Sequence, residues 1–126
     1  KTYIFVYHQV IIVQSLRVHL MCPMQHRFNG LSILETLKFL SDNPTSKTHA
    51  LKVDDPLDPS EPLIIPLQIK GVTGYFSVRT PTIAEYDDED LPHITMTAEV
   101  PEWDPCSSYF AEQEAAMTDF RGQIVD

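Results

Sequence analysis

Three residues of types that bind zinc stand close together in the sequence. His19, Cys22 and His26 follow one another at spacings of three and four. On one helix face, or at a strand-to-helix turn, their side chains could approach a Zn²⁺ ion. A closed structural site needs four ligands, and His8 is the remaining candidate nearby. Since no Cys-x-x-Cys pair follows, we favour the alternative: Cys22 is a small core residue, the histidines lie at the surface or in turns, and no metal or other cofactor is expected.

Carboxylates form the second set of residues with chemical potential. Asp54 and Asp55 are adjacent, and residues 87–90 are all acidic. General acid-base catalysis needs two carboxylates in different environments, one of them with a raised pKa. Carboxylates next to prolines in a loop are typically solvated, so we expect no such pair here.

Motifs of other enzyme classes are absent from the sequence. It has no Gly-x-Ser-x-Gly elbow and no phosphate-binding glycine loop. Ser107 and Ser108 have no recognisable base. An aspartic peptidase needs the triplet Asp-Thr/Ser-Gly, because two such aspartates share a proton at close range. No Asp in this chain begins that triplet. The sequence therefore predicts no catalytic residue.

Composition and charge narrow the class of protein. A chain of 126 residues is long enough for one small domain. Ten prolines against four glycines predict short elements with many connections. Residues 1–53 carry six basic and two acidic residues, a balance of +4, whereas residues 54–126 carry three basic and 16 acidic residues, a balance of −13. Such an acidic half repels phosphate backbones, so we expect no direct binding of nucleic acid.

Other features predict where the protein resides. The apolar runs are too short to span a membrane. Cys22 and Cys106 are far apart and form no disulfide framework, which indicates reduced thiols in an intracellular (cytoplasmic or nuclear) protein. The first residue is Lys1 rather than methionine, already within a strand-like run, and we interpret this as an incomplete reading frame.

Local patterns predict a mostly β fold with short helices. Residues 2–13 are rich in β-branched and aromatic types, broken at residues 8–9, and predict two strands or one bent strand. A short helix begins at Pro23 and ends at Asn29-Gly30. Further strands are predicted over residues 31–34, 49–53, 63–69, 72–78 and 94–98. Pro66 predicts an edge strand, and residues 54–62 predict a loop.

The pattern changes after residue 80. Thr82 and Glu85 have the spacing of a capping box followed by about one turn of helix. Residues 107–120 predict a helix entered through Asp104-Pro105, and Trp103 is predicted to anchor the tail to the body. We therefore divide the chain into a β part, residues 1–80, and an acidic segment, residues 81–126, that is extended and carries one C-terminal α-helix.

Several stretches together resemble the polyproteins of copia-type long-terminal-repeat retrotransposons. The first comprises residues 3–10 (YIFVYHQV) and 20–30 (LMCPMQHRFNG), and it resembles the later part of a retropepsin-like protease. The others resemble the spacer between protease and integrase. They are residues 63–67 (LIIPL), 71–82 (GVTGYFSVRTPT), 91–97 (LPHITMT), 101–105 (PEWDP) and 110–114 (FAEQE).

The resemblance implies a partial retropepsin-like β-barrel within a longer polyprotein. Such a polyprotein is cut by its own protease and also supplies integrase, reverse transcriptase and ribonuclease H. Retropepsins place their active site at a homodimer interface, so the resemblance implies a homodimer through the protease-like part, with the rest of the polyprotein as a further partner. The family's catalytic triplet and integrase residues have no counterpart here, and no catalytic residue is carried over. We expect a fragment without activity of its own.

Two alternatives come from different classes of protein. One is a small acidic β-rich module that binds a partner protein through Phe110, Met117 and Phe120 on an exposed helix. The other is a small zinc-binding module that uses His19, Cys22 and His26.

Overall fold

The chain folds into short strands arranged in small sheets, with short helices between them. A computed structural model describes residues 1–99, 104 and 106–125. In this part of the chain nine strands form four sheets and are accompanied by three α-helices and one 3₁₀ helix. The strand-rich fold with short helices confirms the prediction. The strands are β1 (Ile4–Val6), β2 (Ile11–Ile12), β3 (His19–Leu20), β4 (Ser32–Leu34), β5 (Ala50–Val53), β6 (Leu63–Pro66), β7 (Gln68–Lys70), β8 (Thr73–Tyr75) and β9 (His93–Thr95). The α-helices are α1 (Pro23–Phe28), α2 (Ile83–Asp87) and α3 (Ser108–Met117), and the 3₁₀ helix is Lys38–Leu40.

The core forms around an antiparallel sheet in the order β4-β5-β6. Its middle strand β5 turns Leu51 and Val53 inward and Lys52 outward, as the two-residue period of a strand requires. Pro66 lies in β6 at the edge of this sheet, as predicted. The predicted loop over residues 54–62 connects β5 to β6.

A strand from the acidic segment completes the core. β9 pairs in parallel with β1, with Phe5 opposite Ile94. This pairing places Ile94 and Met96 in one buried cluster with Ile33, Leu51 and Val53. The fully buried Thr97 follows, and its hydroxyl oxygen accepts hydrogen bonds from the amides of His8 and Gln9 at 2.9 and 3.0 Å. Residues beyond position 80 therefore contribute to the same core as the first strand. The division of the chain into a β part, residues 1–80, and an acidic segment, residues 81–126, stays a prediction.

Helix α1 follows the signals in its sequence. Pro23 occupies the first turn, where its missing amide donor costs nothing. Gly30 ends the helix with a φ of +79°, a left-handed conformation that glycine adopts without strain. The helix lies beside β4, which begins two residues after Gly30, at Ser32.

Helix α2 begins with the predicted capping box. The Thr82 hydroxyl accepts from the Glu85 amide at 3.1 Å, and the Glu85 carboxylate accepts from the Thr82 amide at 3.0 Å. Glu85 also forms an ion pair with Arg79. As predicted, the helix lasts little more than one turn.

Helix α3 begins and ends within the range predicted for it. Ser107, rather than Asp104, is its N-cap and accepts from the Phe110 amide at 3.4 Å. The helix ends at Met117 and not at residue 120, because Thr118 is extended and bridges to Ile124. Pro105 and Trp103 lie outside the described residues. None of the helices described here is long and apolar enough to cross a membrane.

Candidate functional site

The densest group of buried polar side chains surrounds helix α1. His26 is 2% exposed and uses both ring nitrogens. Nδ1 lies 2.9 Å from the Cys22 carbonyl oxygen, and Nε2 lies 2.8 Å from the Tyr7 hydroxyl. A carbonyl oxygen can only accept, so Nδ1 carries the proton. In the neutral ring Nε2 is then the acceptor, and Tyr7 donates to it.

Burial shifts the pKa values of both partners away from the charged forms. Desolvation, followed by the nearby positive charge of Arg27, lowers the pKa of His26, although the hydrogen bond to Cys22 opposes this. Desolvation also raises the pKa of Tyr7. At neutral pH the pair is therefore an uncharged phenol bonded to an uncharged imidazole. It joins strand β1, through Tyr7 just beyond its end, to helix α1.

Arg27 ties the other side of the helix to β4. The residue is 7% exposed, and its Nη2 donates to the Ile33 carbonyl oxygen at 2.5 Å and to Glu35 Oε2 at 3.3 Å. Such a buried cation needs partners of this kind, because desolvating an unpaired charge is costly. Asn29 adds a bond from its side chain to the Thr95 carbonyl oxygen at 2.7 Å. The polar side chains at the end of α1 thus connect it to three strands.

The geometry gives no support to the zinc hypothesis. His19 is exposed in β3, Cys22 is half-buried at the start of α1, and both nitrogens of His26 are already hydrogen-bonded. His8 is exposed. Among the residues that the structure describes, no three His, Cys, Asp or Glu side chains are placed to share a metal ion. The predicted ligands are not brought together because His26 faces inward while His19 faces solvent.

The loop carboxylates cap turns. Asp55 Oδ1 accepts from the Leu57 amide and Oδ2 from the Tyr3 hydroxyl, each at 2.8 Å. Partial desolvation works against these bonds, but the bonds prevail and hold the pKa of Asp55 below its usual value. Bonds from the Ser60 hydroxyl and amide likewise lower the pKa of Asp58. A general acid needs a raised pKa, so these two carboxylates have the opposite property.

Two open grooves border the loop of residues 54–62 in the described part of the chain. The first has a volume of about 750 Å³, and its lining includes two lysines, two carboxylates from the loop and a histidine, namely Lys47, Lys52, Asp54, Glu61 and His93. The second, which we call the Tyr3 groove, has a volume of about 590 Å³. Its walls combine apolar side chains with carboxylates. They include Tyr3, Phe5, Leu63, Ile65, Asp55, Asp58 and Glu61.

The structure also shows where Ser107 and the predicted apolar face of helix α3 lie. The Ser107 hydroxyl caps α3 and is used as an acceptor there. Phe110 is buried and packs against Phe28, with ring centroids 5.3 Å apart, so it is not part of an exposed helix face. Phe120 lies beyond the helix and is 92% exposed. The predicted stripe is therefore divided between the interior and the surface.

Comparison of the chain with protein-family models, with curated proteins and with solved structures finds no match.

Proposed function

We propose that this chain is a non-catalytic structural segment of a copia-type retrotransposon polyprotein. It comprises the later, scaffold part of a retropepsin-like aspartic protease and the spacer that leads toward integrase. One observation carries the proposal. The stretches that resemble the family follow its order, and residues 20–30, one of these stretches, contain the succession that the resemblance implies there. They hold the end of a strand, a short helix that begins at Pro23, and Gly30 in a left-handed conformation.

The roles of the polar side chains support a scaffold. His26, Arg27 and Asn29 each bond to a different part of the body: Tyr7, Ile33 and Thr95 respectively. Side chains whose hydrogen-bonding groups are engaged within the fold in this way position the strands rather than act on a substrate. Asp55 and Asp58 similarly stabilise the loop between β5 and β6.

The proposal includes partners. Short sheets with open edges, such as those of β4 and β6, offer backbone groups to further strands. We propose that the protease-like part pairs with a second protomer and that the remainder of the polyprotein covers other surfaces. The balance of −13 over residues 54–126 supports a role that involves no direct contact with nucleic acid. An intracellular setting agrees with the two free thiols, of which that of Cys22 is half-buried and that of Cys106 is exposed.

Two measurements test the proposal at the level of protein. Purified chain, incubated with a broad peptide library, is expected to leave the peptides intact, and cleavage that follows the chain through purification would contradict a non-catalytic role. An antibody raised against the chain is expected to detect a product far larger than 14.4 kDa in the cells that express it. Detection of a 14.4 kDa product alone would contradict the polyprotein.

The exposure of Phe120 favours a second candidate, the acidic interaction module. Phe110, Met117 and Phe120 were predicted to bind the partner; Phe110 is buried, so Phe120, in the turn after α3, is the aromatic residue that would anchor it. A pull-down in which the folded chain retains no protein would count against this candidate.

A further inference from the structure

The turn after helix α3 exposes an aromatic side chain to solvent, and hydrogen bonds hold the backbone of this turn in place. Thr118 and Ile124 form an antiparallel bridge, and the Gly122 amide donates to the Asp119 carbonyl oxygen at 2.9 Å. Gly122 has a φ of +75°, which suits the glycine that follows such a turn. Phe120 stands at the corner of this turn and is 92% exposed. We call residues 118–124 the Phe120 turn.

Hydrogen bonds from one side chain fix the shape of the Phe120 turn. Asp119 Oδ1 accepts from the amides of Arg121 and Gln123 at 2.8 and 2.9 Å. The Asp119 amide itself donates to the Gln123 carbonyl oxygen at 2.8 Å. A turn closed in this way loses little conformational freedom when it binds, which favours affinity.

Arg121 gives the exposed ring a positive neighbour. Its guanidinium carbon lies 5.2 Å from the centroid of the Phe120 ring, within the range of a cation–π contact. The tip of the turn therefore presents an aromatic ring with the positive charge of Arg121 beside it, whereas the carboxylate of Asp119 is engaged by the backbone amides of the turn. Phenylalanine and arginine are both enriched at protein interfaces, and the matching surface is an apolar cleft with a negative rim.

The Tyr3 groove has these properties. Tyr3, Phe5 and Leu63 line it, and all three are half-buried against the core. The groove also carries three carboxylates, Asp55, Asp58 and Glu61, against one lysine, Lys1. Its volume of about 590 Å³ is ample for one phenyl ring.

We propose that the Phe120 turn of one molecule docks in the Tyr3 groove of a second copy of this chain. The Phe120 ring enters between the apolar walls, and Arg121 faces the carboxylate rim. Because the two surfaces differ, the contact is head-to-tail and leaves a free turn and a free groove on every pair, so assembly continues beyond the dimer unless a ring closes. This inference does not depend on the proposed function.

Sedimentation velocity over a wide range of concentrations tests the proposal. The average mass of the full chain is expected to rise with concentration and to fall with added salt, since the contact includes charge pairs. Phe120→Ala is expected to weaken association about thirtyfold, the effect of truncating a central aromatic anchor. The matched control is Phe39→Ala, which removes another ring, 77% exposed, from a different surface. It is expected to associate as the wild type does.

A charge exchange identifies the two surfaces. Arg121→Glu alone and Glu61→Arg alone are each expected to weaken association, whereas the double variant is expected to recover it. A wild-type chain that stays monomeric at every concentration would overturn the proposal. So would equal losses in Phe120→Ala and Phe39→Ala, or a double variant no better than the two single ones. Unchanged urea unfolding curves verify that each variant is folded.

Discussion

The hydrogen bond from Tyr7 to His26 leads to a stability prediction whose size follows from the structure. Tyr7→Phe removes one oxygen and leaves the ring, which packs edge-on against the imidazole with centroids 5.3 Å apart. Nδ1 of His26 is already engaged with Cys22. Nε2 is then left as a buried acceptor without its donor, which costs about 1–3 kcal/mol. The free energy of unfolding is expected to fall by this amount.

Urea denaturation followed by tryptophan or tyrosine fluorescence and by circular dichroism measures this loss. Tyr86→Phe is the matched control, since Tyr86 is 59% exposed and a surface change of this kind is expected to stay within about 0.5 kcal/mol. If Tyr7→Phe changed the free energy of unfolding no more than Tyr86→Phe does, the assignment of Tyr7 as the donor to a buried imidazole would be refuted.

Three further predictions concern pH, the core and helix α2. The pKa of His26 is lower in the folded chain than its usual 6.5, so its contribution to stability is fully present above about pH 6.5 and is lost as the pH falls below it. Between about pH 7 and about pH 5.5 the free energy of unfolding should therefore fall less in a His26→Gln variant than in the wild type. Equal slopes of this free energy against pH in the two proteins would contradict the prediction. Leu51→Ala, at a side chain with no exposed surface, should cost about 2–5 kcal/mol in urea denaturation, and a cost below about 1 kcal/mol would refute its place in the core. Hydrogen bonds from Arg79 and Thr82 lower the pKa of Glu85 to about 2, so an NMR titration should show its carboxylate ionised well below pH 4.5 in the wild type and shifted upward in Arg79→Ala; an unchanged value in the variant would exclude Arg79 as the cause.

Elements governed by neighbouring residues were predictable from the sequence. Pro23 and Gly30 bound helix α1, and Thr82 and Glu85 start helix α2, because each signal acts within one turn. Pro23 lacks the amide that would be unpaired in the first turn, Gly30 adopts the left-handed conformation, and Thr82 and Glu85 accept from each other's amides. The loop of residues 54–62 follows from its prolines and acidic residues.

Contacts between distant segments were not predictable in this way. Tyr7 and His26 stand 19 residues apart, and nothing in their spacing predicts a hydrogen bond. The parallel pairing of β1 with β9 joins the two ends of the body, so the burial of Met96 depends on topology rather than on local pattern. His26 and Arg27 are likewise both buried, although two adjacent polar residues on a short helix would both be expected at the surface from their types alone.

The end of helix α3 illustrates competition between local signals. The pattern from Phe110 to Phe120 favours continued helix, but Asp119 and Gly122 favour a turn. The turn prevails because Asp119 satisfies two backbone amides and the Thr118–Ile124 bridge adds a further contact. Phe120 consequently lies at the tip of a turn and not on a helix face.

The central proposal, a segment of a copia-type polyprotein, is tested most directly by sequencing the coding DNA on both sides of this chain. The proposal predicts an in-frame Asp-Thr/Ser-Gly triplet upstream and an integrase-like frame downstream. A start codon and a stop codon immediately at the two ends, with neither of those frames adjoining, would contradict it and would leave the interaction module as the better account.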